Sequence, residues 1–203
     1  MFLLVGLGNP GERYALNRHN VGFMAADAIA ERWKFGPWKR RFHGLAAEGK
    51  LDGERTLILK PATFMNDSDR SVVDAMRFLK IPQDDLVVIH DEIDLAPGKL
   101  RVKTGGGDAG HNGLRAVTAA LGSDYRRMRI GVGHPGAREL VHHWVLQNFA
   151  KSDRDWLLPL LAAIAETAPL LAKGDDAGFA SKVALLTKPQ RPAKPRPAES
   201  KDA

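Results

Sequence analysis

Apolar and polar residues follow one another along this chain in blocks that predict strands and helices in alternation. Five short apolar runs bounded by turn residues indicate buried strands: FLLVG (residues 2–6), TLILK (56–60), DLVVIH (85–90), KLRVK (99–103) and RMRIGVG (127–133). Helical patterns lie between most of them. Strands that alternate with helices predict a single α/β domain, in which helices flank a twisted, mixed and mostly parallel sheet.

The predicted helices have apolar residues three or four positions apart, so each presents one face to a core. Asn20 can cap a helix that runs to about Trp33, and Ser68 can cap a second helix whose Val72 and Met76 share a face. The remaining predictions are a helix with the stripe Leu114, Val117 and Leu121, a helical segment at 153–172 that breaks or bends near Pro159, and a short helix from about Phe179 to Leu186.

Length and composition exclude several classes of protein. The 203 residues suffice for one buried core but not for separate cofactor and catalytic domains. The chain contains no Cys, so thiolate nucleophiles, disulfides and cysteine-ligated metals are excluded, which is typical of a reducing compartment and predicts a cytoplasmic protein. The most apolar stretch, at 156–165, covers only about half of a ~30 Å bilayer core and contains a proline, so we expect no membrane partner.

The net charge of +6 favours a polyanionic partner, but half of this charge lies at the carboxyl terminus. Residues 188–203 contain five basic and two acidic side chains, four prolines and no large apolar residue. Such a segment cannot offset the entropy cost of ordering, so we predict a folded domain at 1–187 and a disordered, basic tail at 188–203. A nucleic-acid partner therefore requires a local basic patch on the folded domain.

The first strand leads into a glycine pattern that is found in dinucleotide-binding loops. Gly6, Gly8 and Gly11 match G-x-G-x-x-G. A dinucleotide loop, however, opens directly into a helix with an apolar stripe, and residues 12–20 have no such period. This disfavours a nucleotide-dependent oxidoreductase, and we predict no cofactor. The glycines are interpreted as a turn at the end of a strand, where ligands of open sheets bind.

Polar side chains follow the predicted strands at the points where those strands end. They are Asn9, His19, Asn66, Asp91 and Asn112. Since the carboxyl ends of strands in a parallel or mixed sheet meet at one edge, we expect these residues to surround one cleft. There a neutral imidazole can take a proton from water, a carboxylate can orient the imidazole, and amides can hold carbonyl oxygens.

Each of these residues also has an ordinary structural interpretation. Asn9 precedes Pro10 and fits a turn, Asn66 fits a helix cap, and Asp91 in HDEID fits an acidic turn. Taken singly, these interpretations are favoured over catalytic ones. The seven His residues include no H-E-x-x-H or comparable spacing, so we predict no metal site.

Six separate strings, in order, resemble the bacterial-type peptidyl-tRNA hydrolase family: VGLGNPG.RY, NRHNVGF, KPATFMN.S, HDEIDL..G, GGGDAGHNGL and RMRIGVGHP. The resemblance extends from Phe2 to about Leu186 and leaves out only the basic tail. It implies a monomeric α/β enzyme, without an obligatory protein partner, that cleaves the ester between a peptide and the 3′ ribose of tRNA. Peptidyl-tRNA is then the expected polyanionic partner.

The resemblance also implies roles for the catalytic residues. His19 is expected to be the general base for the attacking water, with Asp91 as its hydrogen-bond partner. Asn9 and Asn66 are expected to hold the peptide backbone or the developing oxyanion, and Asn112 to orient water or the ester.

Further residues are implied to bind the two parts of the substrate. The peptide side is expected to contact Tyr14, Phe64, Met65, Asn66, His111 and Asn112, and the tRNA side Lys103 and Arg129.

One alternative function stays open on sequence grounds: an RNA-binding relative of the same fold that has lost catalysis and acts in RNA processing. The presence of His19, Asp91 and Asn66 argues against it. The chain also departs from the family pattern in its glycine-rich segment, where Asp108-Ala109 stands in place of a common His-Gly.

Overall fold

Seven strands form one mixed sheet in the computed structural model, which describes residues 1–188. The strands are β1 (Phe2–Gly6), β2 (Lys39–Arg41), β3 (Gly44–Leu51), β4 (Glu54–Pro61), β5 (Leu86–Glu92), β6 (Leu100–Thr104) and β7 (Arg126–Gly131). Their order across the sheet is β2-β3-β4-β1-β5-β7-β6. The central strands β4, β1, β5 and β7 are parallel, whereas β2, β3 and β6 pair antiparallel at the two sides. The predicted mixed sheet is confirmed, and its parallel part is the centre.

Helices cover both faces of this sheet. They are α1 (Val21–Arg32), α2 (Ser68–Leu79), α3 (Asn112–Leu121), α4 (Val141–Val145), α5 (Arg154–Ala172) and α6 (Asp176–Leu186). Successive residues of a strand point to opposite faces. Leu4 of β1 accordingly packs in the core formed with α1, α5 and α6, while Leu3 packs in the core formed with α2 and α3. The sheet therefore lies between two apolar layers within one domain.

Two strands carried no recognisable pattern in the sequence. β2 and β3 contain mainly small, basic and acidic residues, and they lack the apolar run that marks the other strands. β3 pairs along its whole length with β4, from Gly44 opposite Pro61 to Leu51 opposite Glu54. Its extended conformation is therefore imposed by this pairing rather than by residue preference.

The long helix α5 is continuous, so a break at Pro159 does not occur, whereas a bend there stays a prediction. Pro159 and Pro169 both lie inside it. Its apolar side, which includes Leu160 and Ile164, packs in the core with α1 and α6, and this packing holds the helix together across the proline. The segment Lys151–Ala172 is also long and apolar enough to cross a membrane by length and composition alone, and 44% of its most apolar part is buried inside the protein.

Neither predicted helix cap forms. Asn20 precedes α1, but its side chain bonds to the backbone of Asn9 and not to the helix. Ser68 is already the first residue of α2, and its buried hydroxyl donates to the carbonyl of Met65 at 2.8 Å. Both side chains therefore stabilise the loops at the sheet edge.

Two glycines bring α1 into backbone contact with the sheet. A Cβ atom on Gly6 would lie 2.3 Å from the carbonyl oxygen of Gly22, and a Cβ on Gly22 would lie 2.5 Å from the carbonyl oxygens of Leu7 and Ile89. Residues 12–20 do not form the helix of a dinucleotide loop: 3₁₀ turns occupy Glu12–Tyr14 and Arg18–Asn20 before α1 begins. The glycines therefore serve a strand end and close helix packing.

The glycine-rich loop after β6 runs across the sheet. β6 is antiparallel to β7, with Thr104 opposite Arg126, so this strand ends at the amino edge of the parallel strands. At that edge, the amide of Gly105 donates to the carbonyl of Tyr125, the residue before β7. At the other end of the loop, His111 contacts Asp91 near the end of β5. His111 therefore arrives at the carboxyl edge through the length of the loop, and not through the direction of its strand.

The tail predicted at 188–203 lies outside the described residues except for Lys188. The helix α6 ends at Leu186. The division into a domain at 1–187 and a disordered tail stays a prediction.

Candidate active site

His19 and Asp91 form a buried pair at the carboxyl end of β5. Nδ1 of His19 lies 2.8 Å from Oδ1 of Asp91. Asp91 is the second-last residue of β5, and His19 lies in the 3₁₀ turn that leads into α1. Because the carboxylate accepts this hydrogen bond, Nδ1 carries the proton and Nε2 of His19 keeps its lone pair, as a general base requires.

A second imidazole binds the same carboxylate oxygen. Nε2 of His111 lies 3.0 Å from Oδ1 of Asp91. Nδ1 of His111 accepts hydrogen bonds from the amides of Gly113 and Leu114, at 3.1 and 3.3 Å, and so caps α3. A nitrogen that accepts carries no proton, so the proton of this ring lies on Nε2 and points to Asp91. The two imidazoles therefore hold Asp91 from two directions in fixed tautomers.

Burial and charge have opposite effects on the pKa values of this pair. Burial lowers the pKa of His19, but the charge of Asp91 and the hydrogen bond to it together raise that pKa above the ordinary 6.5. Burial raises the pKa of Asp91, but the neighbouring His19 and His111 lower it by more. The resulting pKa of Asp91 lies well below the usual 3.8. Asp91 is therefore ionised, and it favours the protonated form of His19.

His90 lies beside the pair and was singled out by no sequence pattern. Its ring centroid is 5.2 Å from that of His111, and its Nδ1 donates to the carbonyl oxygen of Asp91 at 2.7 Å. Burial, followed by the proximity of His111, lowers the pKa of His90 to about 3. The ring is therefore neutral and adds no second positive charge next to His19.

The backbone of Asn9 is fixed by the side chain of Asn20, which was predicted to cap a helix. The amide of Asn9 donates to Oδ1 of Asn20, and Nδ2 of Asn20 donates back to the carbonyl of Asn9, both at 2.9 Å. Oδ1 of Asn9 accepts from the amide of Met65 at 3.0 Å. This bond orients the side-chain amide of Asn9, whose Nδ2 is a donor that a substrate can use.

A cleft of about 380 Å³ opens beside the two imidazoles. Of the predicted residues, His19, Asp91, His111 and Asn112 line it. Its other wall comes from the connection after β7 and from α4, where no helix and no site residue were predicted. It consists of His134, Arg138, Val141, His142 and Val145. Of these residues, only His134 lies in one of the six family strings.

The remaining predicted peptide-side residues lie elsewhere. Asn9 lines a second cleft of about 260 Å³ together with Asn20. Met65 is buried against Gly113, whereas Asn66 and Phe64 are exposed, and Tyr14 is half-buried beneath the guanidinium of Arg13. His19, Asp91 and Asn112 thus line one cleft, whereas Asn9 lines the second cleft and is joined through Met65 to the start of α3. Their roles stay predictions.

Lys103 and Arg129 line one groove with the glycine-rich loop. Both Nε and one terminal nitrogen of Arg129 donate to Oε2 of Glu92, at 2.9 and 2.8 Å. Arg127 lines the same groove and is almost completely buried, with its guanidinium bonded to the carbonyl of Gly107. The groove is basic, but Glu92 already neutralises part of its charge.

The ligand atoms of His19, Asp91 and His111 lie within 4.8 Å of one another, close enough to hold a metal ion. The two hydrogen bonds to Asp91 account for this closeness, since the ring nitrogens that face the carboxylate each carry a proton. A metal would have to displace both protons. The predicted lack of a metal site stays a prediction.

The fold and the site are those of an α/β protein with a buried imidazole–carboxylate pair at the carboxyl edge of its parallel strands, an arrangement typical of hydrolases.

Comparisons with known proteins specify the family. The profile of the peptidyl-tRNA hydrolase family matches residues 3–192. The peptidyl-tRNA hydrolase of Methylorubrum populi is 61% identical over 185 residues, which cover 91% of this chain and 88% of that protein. That of Parvibaculum lavamentivorans is 56% identical over 200 residues, 98% of both chains. The crystal structure of peptidyl-tRNA hydrolase from Acinetobacter baumannii has a TM-score of 0.85 at 36% identity, covering 90% of this chain and 94% of that one. This chain belongs to the peptidyl-tRNA hydrolase family.

The predicted enzyme class is thereby confirmed. The protein hydrolyses the ester bond of peptidyl-tRNA, a reaction that belongs to translation. The alternative of a non-catalytic RNA-binding relative is not favoured.

Proposed function

We propose that His19 is the general base of this hydrolysis and that Asp91 orients it. The observation that carries the proposal is the 2.8 Å hydrogen bond between Nδ1 of His19 and Oδ1 of Asp91. This bond leaves Nε2 of His19 without a proton, so that nitrogen can accept one from water. The carboxylate then stabilises the imidazolium that forms.

In the proposed reaction, the oxygen of water attacks the ester carbonyl carbon while one proton passes to Nε2 of His19. The former carbonyl oxygen becomes negatively charged. When the bond to the ribose oxygen breaks, the imidazolium returns a proton to that oxygen. The products are tRNA with a free 3′ hydroxyl and a peptide acid, which releases the second proton of the attacking water to solvent and becomes a carboxylate; no covalent enzyme intermediate forms.

Amide side chains are proposed to hold the reacting carbonyl. Asn9 can contribute its donor Nδ2, and the bond from the Met65 amide to its oxygen fixes the orientation of the side chain. Asn112 begins α3 at the edge of the cleft, and Asn66 is exposed next to Met65. A donor aimed at the developing oxyanion contributes roughly 10²–10³-fold to kcat. These three residues therefore divide the tasks of holding the peptide, the oxyanion and the water.

The peptide side is assigned to Tyr14, Phe64, Met65 and His111. Phe64 is 58% exposed, so its ring is accessible to apolar side chains of a bound peptide.

The tRNA side is assigned to Lys103 and Arg129, which share the groove of the glycine-rich loop. Phosphate oxygens are the natural partners of such side chains.

The protein is proposed to act as a cytoplasmic monomer without an obligatory partner protein, metal or cofactor. His19, Asp91 and His111 come from one chain, so the proposed site needs no second copy. Its substrate arises from translation, which supports a cytoplasmic location. The basic segment 188–203 is proposed to add weak, salt-sensitive attraction to RNA.

The first test compares tRNA charged with an N-acylated amino acid and tRNA charged with a free amino acid, both with EDTA present. We expect cleavage of the N-acylated substrate, because amide side chains can pair with a peptide bond, whereas a free ammonium group leaves them unpaired. Equal cleavage of both substrates, or inhibition by EDTA, would overturn the proposed site chemistry.

The second test replaces the proposed base. His19→Ala should lower the single-turnover rate by roughly 10²–10⁴-fold, and Asp91→Asn by less. His43→Asn is the matched control, because His43 is exposed on the far side of β3 from β1 and Asn tolerates its positive φ. A His19→Ala enzyme with nearly full kcat would remove the assignment of the base.

A further inference from the structure

The guanidinium of Arg18, next to His19 in the chain, is buried between two parts of the molecule. Its NH1 donates to the carbonyl of Asn148 at 3.1 Å, and its NH2 lies 3.4 Å from Oδ2 of Asp153. The carbon Cζ lies 3.7 Å from the ring centroid of Trp144. Arg18 is only 7% exposed, so these contacts occupy most of the side chain. It does not itself line the cleft at His19.

The backbone around Arg18 is joined to the same segment. The amide of Arg18 donates to the carbonyl of Gln147 at 3.0 Å, and the amide of Phe149 donates to the carbonyl of Leu16 at 3.0 Å. Asn17 forms an isolated bridge with Asn148 and donates to its side-chain oxygen at 2.7 Å. The turn that carries His19 is thus fastened to residues 147–149 by both main chain and side chains.

This segment leads directly into the wall of the cleft that faces the imidazoles. Val141, His142 and Val145 of α4 line the cleft, and Trp144 lies between them in the chain. The indole nitrogen of Trp144 donates to the carbonyl of Gly133 at 2.9 Å, while its ring receives Arg18. Arg18 and Gly133 therefore hold α4 from two sides.

The chemistry of the contacts requires arginine. Burial lowers the pKa of Arg18, and the charge of Asp153 counteracts this. A planar guanidinium can stack on an indole and donate to a carbonyl and a carboxylate together, whereas a lysine ammonium cannot reproduce that geometry. A helix as short as α4 has little stability of its own, so its place depends on such tertiary contacts.

We propose that Arg18 is a positioning residue that sets the distance between the base His19 and the α4 wall of the cleft. The inference rests on the proposed role of His19. Arg18 lies outside the cleft, and it acts by joining the turn of the base to the helix α4, which lines the cleft. The width of the cleft, and thereby substrate affinity, depends on it.

The experiment measures kcat and KM for N-acylated aminoacyl-tRNA with Arg18→Ala and Arg18→Lys. Misplacement of a binding wall by about 1 Å can cost up to ~10²-fold in kcat/KM, and we expect the loss to appear in KM, with kcat nearly unchanged. The pH midpoint of kcat/KM should stay that of the parent enzyme, because His19 and Asp91 remain paired. Arg18→Lys should give an intermediate KM.

Arg41→Ala is the matched control. Arg41 also stacks on an aromatic ring, at 4.4 Å from the centroid of Phe42, and forms an ion pair with Glu48, but it lies on the edge strand β2. Its removal should leave KM unchanged. If Arg18→Ala lowers only the melting temperature, with parental kcat and KM per folded molecule, Arg18 is merely structural and the proposal fails. Full rescue by Lys would equally overturn the role of the planar guanidinium.

Trp144→Leu supplies a second approach in case Arg18→Ala does not fold. It removes the Arg18–Trp144 stack by changing the residue on α4, so it should raise KM. Adding Arg18→Lys to this variant should raise KM little further. Additive effects would contradict a shared contact. Failure of the proposed base is a separate outcome: it would appear as an active His19→Ala enzyme, whatever happens at Arg18.

Discussion

Nε2 of His111 lies 3.0 Å from Oδ1 of Asp91, while the other nitrogen of the ring accepts hydrogen bonds from the first amides of α3. The start of the helix thereby determines which ring nitrogen carries the proton, and so turns His111 into a donor to the carboxylate.

This relationship predicts different effects for two substitutions of His111. His111→Asn keeps a side-chain acceptor for the helix amides but is too short to reach Asp91. His111→Ala also loses the cap, so its free energy of unfolding should be lower than that of the Asn variant by about 0.5–2 kcal/mol. Both should lower kcat. Urea unfolding and single-turnover kinetics measure the two effects, and parental kcat in the Asn variant would show that the bond to Asp91 has no catalytic role.

The pH dependence of the enzyme should reflect the raised pKa of His19. The neutral imidazole is the active base, so kcat/KM should rise with pH, with a midpoint above the ordinary 6.5. In Asp91→Asn the effects that raise the pKa are lost while burial remains, so the midpoint should move to lower pH. A pH profile of both enzymes on N-acylated aminoacyl-tRNA tests this. An unmoved midpoint in the variant would contradict the pairing.

Lys103 and Arg129 should contribute unequally to the salt dependence of tRNA binding. Lys103→Ala should reduce the magnitude of the salt slope by about one, because one fewer counterion is released. Arg129 is already bonded to Glu92, so Arg129→Ala should change the slope less. Binding titrations at several salt concentrations measure both, with Lys50→Ala on β3 as the control. The idea would fail if Lys50→Ala had the same effect as Lys103→Ala.

Asp108 should hold the glycine-rich loop in place. Its Oδ1 accepts from the hydroxyl of Thr118 at 2.9 Å and lies 3.6 Å from NH1 of Arg127, which itself donates to the carbonyl of Gly107. Asp108→Asn keeps an acceptor but removes the charge opposite Arg127. Amides of residues 105–110 should then exchange hydrogen faster. Mass spectrometry detects this change, and the exposed Asp84→Asn provides the control; equal exchange in both variants would exclude the role.

The sequence predicted the parallel centre of the fold because β1, β4, β5 and β7 are apolar enough to be recognised without their neighbours. β3 was missed because its small and charged residues become a strand only against β4. The segment 153–172 was predicted as a helix, but its continuity at Pro159 depends on packing that lies far away in sequence.

The pairing of His19 with Asp91 followed from the family pattern and from the convergence of strand ends, whereas other parts of the site did not. Asn112, which follows His111, was expected at the same edge, yet the strand before it runs the opposite way, and the glycine-rich loop brings both residues there. Arg18 lies in the family string NRHNVGF, but no role was predicted for it, because its partner Asn148 is 130 residues away in a segment without a recognisable period. Contacts of this kind cannot be read from local patterns.

Gly6 and Gly22 allow α1 to pack against the sheet because neither residue has a side-chain carbon. A Cβ on Gly22 would lie 2.5 Å from the carbonyl oxygen of Ile89, two residues before Asp91, and Gly22 itself follows His19 by three residues. A methyl group there would push α1 away from β5 and would take His19 with it. Gly6, which faces Gly22 across the same contact, imposes the same limit from the strand. The distance between His19 and Asp91 therefore also depends on how closely the backbone of α1 can approach the backbone of β1 and β5.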